Sequence, residues 1–180
     1  MKKPNLLPKT DTYLFLFFIA SSFGFIWETI ILFVQRGEFC NRGFFYGPWL
    51  PVYGSGSVLL YACLSKKMNR PLFCFFASAL IGGATELFTG WLLNTFFGLR
   101  YWEYTGQFLN FQGYICLYSV LGFALAGTFL ICIAAPFLLK LWSKIPAKIR
   151  GNILGVLVVL FAVDAAISLI FPNSGNGVTF

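Results

Sequence analysis

The chain has 180 residues, 58% of them hydrophobic and 11% charged, with a formal net charge of +7. Soluble domains carry about 25% charged residues, so this composition leaves too few charges to cover a water-facing surface and describes an integral membrane protein. The lack of histidine excludes His-based triads and most zinc sites, and no Gly-rich loop followed by Lys marks the chain as an ATPase.

Five apolar stretches read as spanning helices, each needing about 20 residues. The first covers residues 13–34, with Thr10, Asp11 and Thr12 as candidate N-caps. The second, residues 49–64, is short. Pro48, Pro51, Gly54 and Gly56 at its start predict an unwound or re-entrant outer end. The third covers residues 71–94, with Pro71 suited to a first helical position. The fourth covers residues 114–139. Lys140, Lys144 and Lys148 follow at four-residue spacing, interrupted by Pro146, which predicts an interfacial turn of helix over 137–150. The fifth covers residues 152–171 and stops before Pro172.

The basic residues cluster between these stretches. Lys2, Lys3, Lys9, Lys66, Lys67, Arg70, Lys140, Lys144, Lys148 and Arg150 fall on one side, and Arg36, Arg42 and Arg100 on the other. The positive-inside rule then predicts a cytoplasmic N-terminus and an external C-terminus, a parity that five spans close. It also accounts for the net charge without nucleic acid. Met1-Lys2-Lys3 before an apolar run has the start of a signal peptide, but no small-residue cleavage site follows, and the run continues through Trp27 and Glu28. The expected architecture is an all-α, polytopic helical bundle forming a single membrane domain over residues 1–180. External loops cover 35–48 and 97–113. Both loops are aromatic-rich, follow a helix carrying a glutamate, and contain an Arg and then an Asn with a nearby Gly. This pairing reads as a degenerate parallel helix–loop–helix repeat with a fifth helix added, or as the general likeness of apolar sequences.

Glu28, Glu86 and Asp164 are the acidic residues inside spans. An ionisable side chain at the centre of a membrane costs about 2.5–3.5 kcal/mol on insertion scales, so each should face the bundle or a wet cavity. Ala20, Gly24 and Glu28 form one i, i+4 row, and Ser78, Gly82, Glu86 and Gly90 another, the small residues predicting close helix approach. Each carboxylate lies at a similar distance from the predicted outer end of its helix, as a shared outward-facing site requires. The loops add Asn41, Arg42, Tyr46, Arg100, Trp102, Glu103 and Asn110 as candidate substrate-binding residues, because guanidinium groups offer a planar fork to carboxylate or phosphate. Arg42 is expected on the same side as Glu28 and Glu86. The alternative for the carboxylates is packing by hydrogen bonds to neighbours. For Trp49, Trp102 and Tyr104 it is the ordinary aromatic belt at the membrane interface. Cys40 and Cys116 both lie near the external side and are candidates for a disulfide. The remaining cysteines read as small apolar packing residues.

Phe25-Ile26-Trp27-Glu28, the stretch from Asn41 to Gly54, Glu86-Leu87-Phe88-Thr89-Gly90-Trp91, Arg100-Tyr101-Trp102-Glu103-Tyr104 and Asn110-Phe111-Gln112-Gly113-Tyr114 together resemble a bacterial membrane family. Its name is putative ABC-transporter type IV, or putative ABC transporter permease. Asp164 and Ser168 resemble its closing Asp and Ser. Glu103 departs from it, since the family prefers Asp after the Trp. The resemblance implies a multi-pass permease of the bacterial plasma membrane that works with a separate ATPase subunit. At this size a transport path would need a homodimer or partner. Two other classes stay open: a membrane accessory or scaffold protein binding a partner or lipid head group, and an intramembrane enzyme acting on lipid-linked substrates with Glu28 or Glu86 as base. No recognisable nucleophile arrangement supports the enzyme, and no catalytic residue, metal or cofactor is assigned.

Overall fold

The apolar run after Pro8 forms α1 (Lys9–Arg36) in the computed structural model, which describes residues 7–37, 41, 44–98, 100, 102–171 and 173. Pro8 is the N-cap, correcting the expected Thr10–Thr12 cap. Its carbonyl accepts from Thr12 N–H at 3.0 Å and from the Thr12 hydroxyl at 3.2 Å, so the helix begins a turn early. Gly37 ends α1 at φ 73°, a conformation that costs glycine little, and its N–H donates to Phe33 O.

The short second stretch becomes α2 (Pro51–Leu64), followed by a 3-10 turn (Ser65–Lys67). Its 14 residues rise roughly 21 Å, less than the ~30 Å of a hydrocarbon core. Among the described residues, four helical segments are long and apolar enough to cross a membrane: Lys9–Val34, Pro71–Phe96, Leu117–Trp142 and Ala147–Ile170. The chain is a helical membrane protein, and no strand occurs among the described residues.

Pro71 opens α3 (Pro71–Phe97) at its first turn, where a missing N–H costs nothing. The next rod consists of α4 (Leu117–Phe129), a π-turn (Leu130–Ala134) and α5 (Ala135–Trp142). Ala135 N–H reaches back five residues to Leu130 O. Pro136 follows directly; its ring would clash with the carbonyl four residues back in a regular helix, and the wider turn relieves that clash. The expected interfacial turn over 137–150 is replaced by α5, a break at Pro146, and α6 (Ala147–Ile170), which starts five residues earlier than predicted.

The chain divides into two compact units. The first comprises the described residues within 7–58 and 137–173. Its core is aromatic: Phe18, Trp49, Trp142 and Leu154 are buried, Phe15 stacks on Trp142 at 4.4 Å, and Phe161 of α6 meets Phe17, Phe18, Phe45 and Trp49. The second comprises residues 59–136. Leu64, Cys74 and Ile131 form its core, and α3 packs along α4. Close approach there depends on small residues. A Cβ at Gly82 would lie 2.5 Å from Phe123, and one at Gly90 3.0 Å from Tyr114.

Candidate functional site

In the first unit, Asp164 is buried on α6 and holds a loop rather than an open site. Its Oδ1 accepts from Tyr46 N–H at 3.1 Å and the Ser168 hydroxyl at 3.2 Å; its Oδ2 accepts from Gly47 N–H at 2.9 Å and Trp49 Nε1 at 2.6 Å. A carboxylate offers about four acceptor positions, and all are used. Trp49, expected in the interfacial aromatic belt, is instead 8% exposed with its indole N–H directed at this carboxylate. Tyr46 donates its hydroxyl to Phe171 O, and Asn41 donates to Tyr46 O at 3.0 Å. Asn41 Oδ1 is buried without a hydrogen-bond partner among the described residues. Arg42 and Cys40 lie outside the described residues, so neither the expected Arg42 contact nor the Cys40–Cys116 bridge falls within them.

Glu28 of α1 accepts from the Tyr53 hydroxyl at 2.5 Å. Gly24, one turn earlier, lies under the Tyr53 side chain, where a Cβ would come within 2.9 Å of the tyrosine's own Cβ. Glycine at 24 therefore sets the approach of α2 that brings this hydroxyl to Glu28.

In the second unit the segment from Gly98 to Cys116 folds on itself. Arg100 pairs with Glu103 at 2.8 Å, donates to Gln112 O at 2.6 Å, and lies 5.0 Å over the Tyr114 ring. Trp102 Nε1 donates to Tyr114 O at 2.8 Å, and Asn94 Nδ2 to the Tyr114 hydroxyl at 2.8 Å. Asn110 closes a turn through Gln107 O and Gly113 N–H. Gly113 has φ 71°, and a Cβ there would overlap Glu103 Oε1 and Arg100 Nη2, so only glycine suits it. The Thr105 hydroxyl and N–H bind Glu103 and, helped by Arg100, hold its carboxyl below the usual glutamate range. This loop is ordered by its own side chains.

Glu86 of α3 accepts from the Tyr104 hydroxyl through Oε1 at 3.1 Å. Its Oε2 is buried and has no hydrogen-bond partner among the described residues. The Ser119 hydroxyl lies beside the carboxylate but donates to Cys116 O at 3.0 Å. A buried acceptor without a donor is costly, so Oε2 is suited to a proton or an incoming cationic group. Tyr104, another expected belt residue, is directed inward to this acid.

The expected equal depth of the three acids does not hold along their own helices. From the C-terminal ends at Arg36, Phe97 and Ile170, Glu28, Glu86 and Asp164 lie about 12, 16 and 9 Å back at 1.5 Å per residue. The cause is that α3 runs past Asn94 to Phe97, capped by Gly98 N–H donating to Asn94 O, and that α6 ends at Ile170, two residues before Pro172.

Sequence reasoning missed a buried ion pair at the opposite end of the first unit. Arg150 Nε meets Asp11 Oδ2 at 2.8 Å, with side-chain exposures of 9% and 13%, and Arg150 Nη1 donates to Ile145 O at 2.7 Å. Trp142 Nε1 approaches Asp11 Oδ1 at 3.4 Å. The available signal was an acid inside a cluster of ten basic residues.

Residues 15–169 match the model of the family described as Putative ABC-transporter type IV. No curated protein and no solved structure matches the chain.

Proposed function

The chain belongs to the Putative ABC-transporter type IV family, and from that membership we propose that it is the membrane-embedded subunit of a transporter of the bacterial plasma membrane. A separate ATPase subunit supplies the energy, and the subunit acts as a single membrane domain with its N-terminus in the cytoplasm. The observation that carries this reading is Glu86. An acid in a spanning helix, with one oxygen bound by Tyr104 and the other buried and unpartnered among the described residues, is the form an ion- or substrate-binding carboxylate takes. Glu28 with Tyr53, and the loop residues Asn41, Arg42, Tyr46, Arg100, Trp102, Glu103 and Asn110, contribute to polar recognition from the external side.

Affinity isolation from native membranes should recover an ATP-hydrolysing subunit in stoichiometric amount. With that complex in proteoliposomes, Glu86→Gln should lower transport about tenfold or more, the worth of one charge-assisted contact, at unchanged expression. Recovery of no ATPase, or full transport by Glu86→Gln, would refute the reading.

A second reading has its own observation. Asp164 spends its acceptors on residues 46–49 and Ser168, and Arg100 spends its donors within its own loop, which suits an accessory protein presenting rigid external surfaces to a partner or lipid head group. Isolation with a stable partner that lacks ATPase activity would favour it.

A further inference from the structure

At the basic end of the first unit, Leu7, Pro8, Ser143, Lys144, Pro146 and Arg150 line a pocket of about 470 Å³. Its floor is unusual for a membrane protein, because a guanidinium is buried there. Arg150 is 8% exposed, its Nε taken by Asp11 and its Nη1 by Ile145 O. Its Nη2 donates no hydrogen bond among the described residues, which leaves a donor edge on a fixed arginine lining the pocket. Lys144 stands exposed at the rim, and Ser143 adds a hydroxyl. Pro146 caps α6 without a side-chain bond, so the first N–H groups of a 24-residue helix also point to this end without helical acceptors. Leu7, Pro8 and Pro146 supply an apolar wall beside these donors.

We propose that this pocket binds the phosphate of an anionic phospholipid, with Arg150 and Lys144 as its cationic ligands and the apolar wall against the upper acyl chains. Among the described residues, Asp11 is the acid that pairs with Arg150. It occupies the Nε edge and fixes the guanidinium plane, so it orients the donor that remains. Lys9, Lys140 and Lys148 add attraction for an anionic surface.

Native mass spectrometry of the full chain, released from neutral detergent doped with phosphatidylglycerol or phosphatidylcholine, tests this. One phosphatidylglycerol should be retained and phosphatidylcholine should not. Lys144→Gln should lower retention about fivefold, the effect of one basic residue near an anionic surface, and Lys144→Arg should restore it. Lys67→Gln, in the other unit, should change nothing. The melting temperature of Lys144→Gln should match the parent, because Lys144 is exposed. Retention that survives millimolar inorganic phosphate assigns the lipid as the source, whereas displacement with uptake of phosphate overturns it in favour of a soluble anion. Equal retention of the two lipids, or an equal loss with Lys67→Gln, would also overturn the site.

Discussion

Replacing Asp164 by asparagine removes a charge and turns one acceptor into a donor, with hardly any change in size. The better orientation of the amide keeps its oxygen toward Gly47 N–H and Trp49 Nε1, because the Ser168 hydroxyl can rotate to accept from the new NH2. Tyr46 N–H then faces a donor and is left unpaired. An unsatisfied buried N–H costs about 1–3 kcal/mol, and the two retained bonds each lose about 1 kcal/mol of charge assistance. Release from burying a charge offsets part of this, so Asp164→Asn should destabilise the chain by about 2–4 kcal/mol. Asp164→Ala orphans all three N–H donors and should cost more. Ser168→Ala leaves Asp164 three of its four donors and should cost about 1 kcal/mol. Unfolding by SDS titration, followed by far-UV circular dichroism, measures the series. Destabilisation should be largest for Asp164→Ala, intermediate for Asp164→Asn and smallest for Ser168→Ala. A change below about 0.5 kcal/mol for Asp164→Asn, the range of ordinary surface substitutions, would refute the loop-latch argument.

The Asp11–Arg150 pair should behave as a buried ion pair. Asp11→Asn or Arg150→Met alone should cost about 3–5 kcal/mol in the same titration, and the double variant should recover most of it. Glu103 gives a pH prediction. Its carboxyl is held low by Thr105 and Arg100, so its contribution to loop order is complete above the unfolded glutamate value of about 4.3 and is lost as pH falls through the lower folded value. Trp102 fluorescence should be constant from roughly pH 7 to 5 and change only below about pH 4; a transition near neutrality would contradict the cluster. For orientation, a cytoplasm-active reporter fused after Lys67 should be active and one after Gln107 inactive, and the reverse pattern would reject the positive-inside placement of these two loops.

The membrane class, most helix positions and the family were legible in the chain, because hydropathy and basic clusters act over 20-residue windows that tolerate errors at the ends. The small-residue rows were legible too: Gly24 and Gly82 each face an aromatic side chain at close approach. Helix ends were less so. Pro8 and Pro146 start α1 and α6 earlier than their apolar runs, since a carbonyl can accept the first helical bond whatever its side chain. The role of the belt aromatics was hidden, because Trp49 and Tyr104 have the composition of interfacial residues and differ from them only in what their polar tips touch.

Composition and hydropathy establish that this chain resides in a membrane, which stretches are helical, and which acids need partners inside it. Which partners they find follows from the packing of segments distant along the chain. Asp164 spends three of its four acceptor positions on residues 46–49, more than a hundred residues away, Asp11 pairs with Arg150, and Glu86 keeps one oxygen unpartnered among the described residues. Hydropathy is a sum over neighbours along the chain, whereas a carboxylate's state depends on donors within about 3 Å, and those arrive from segments whose separation in sequence carries no signal.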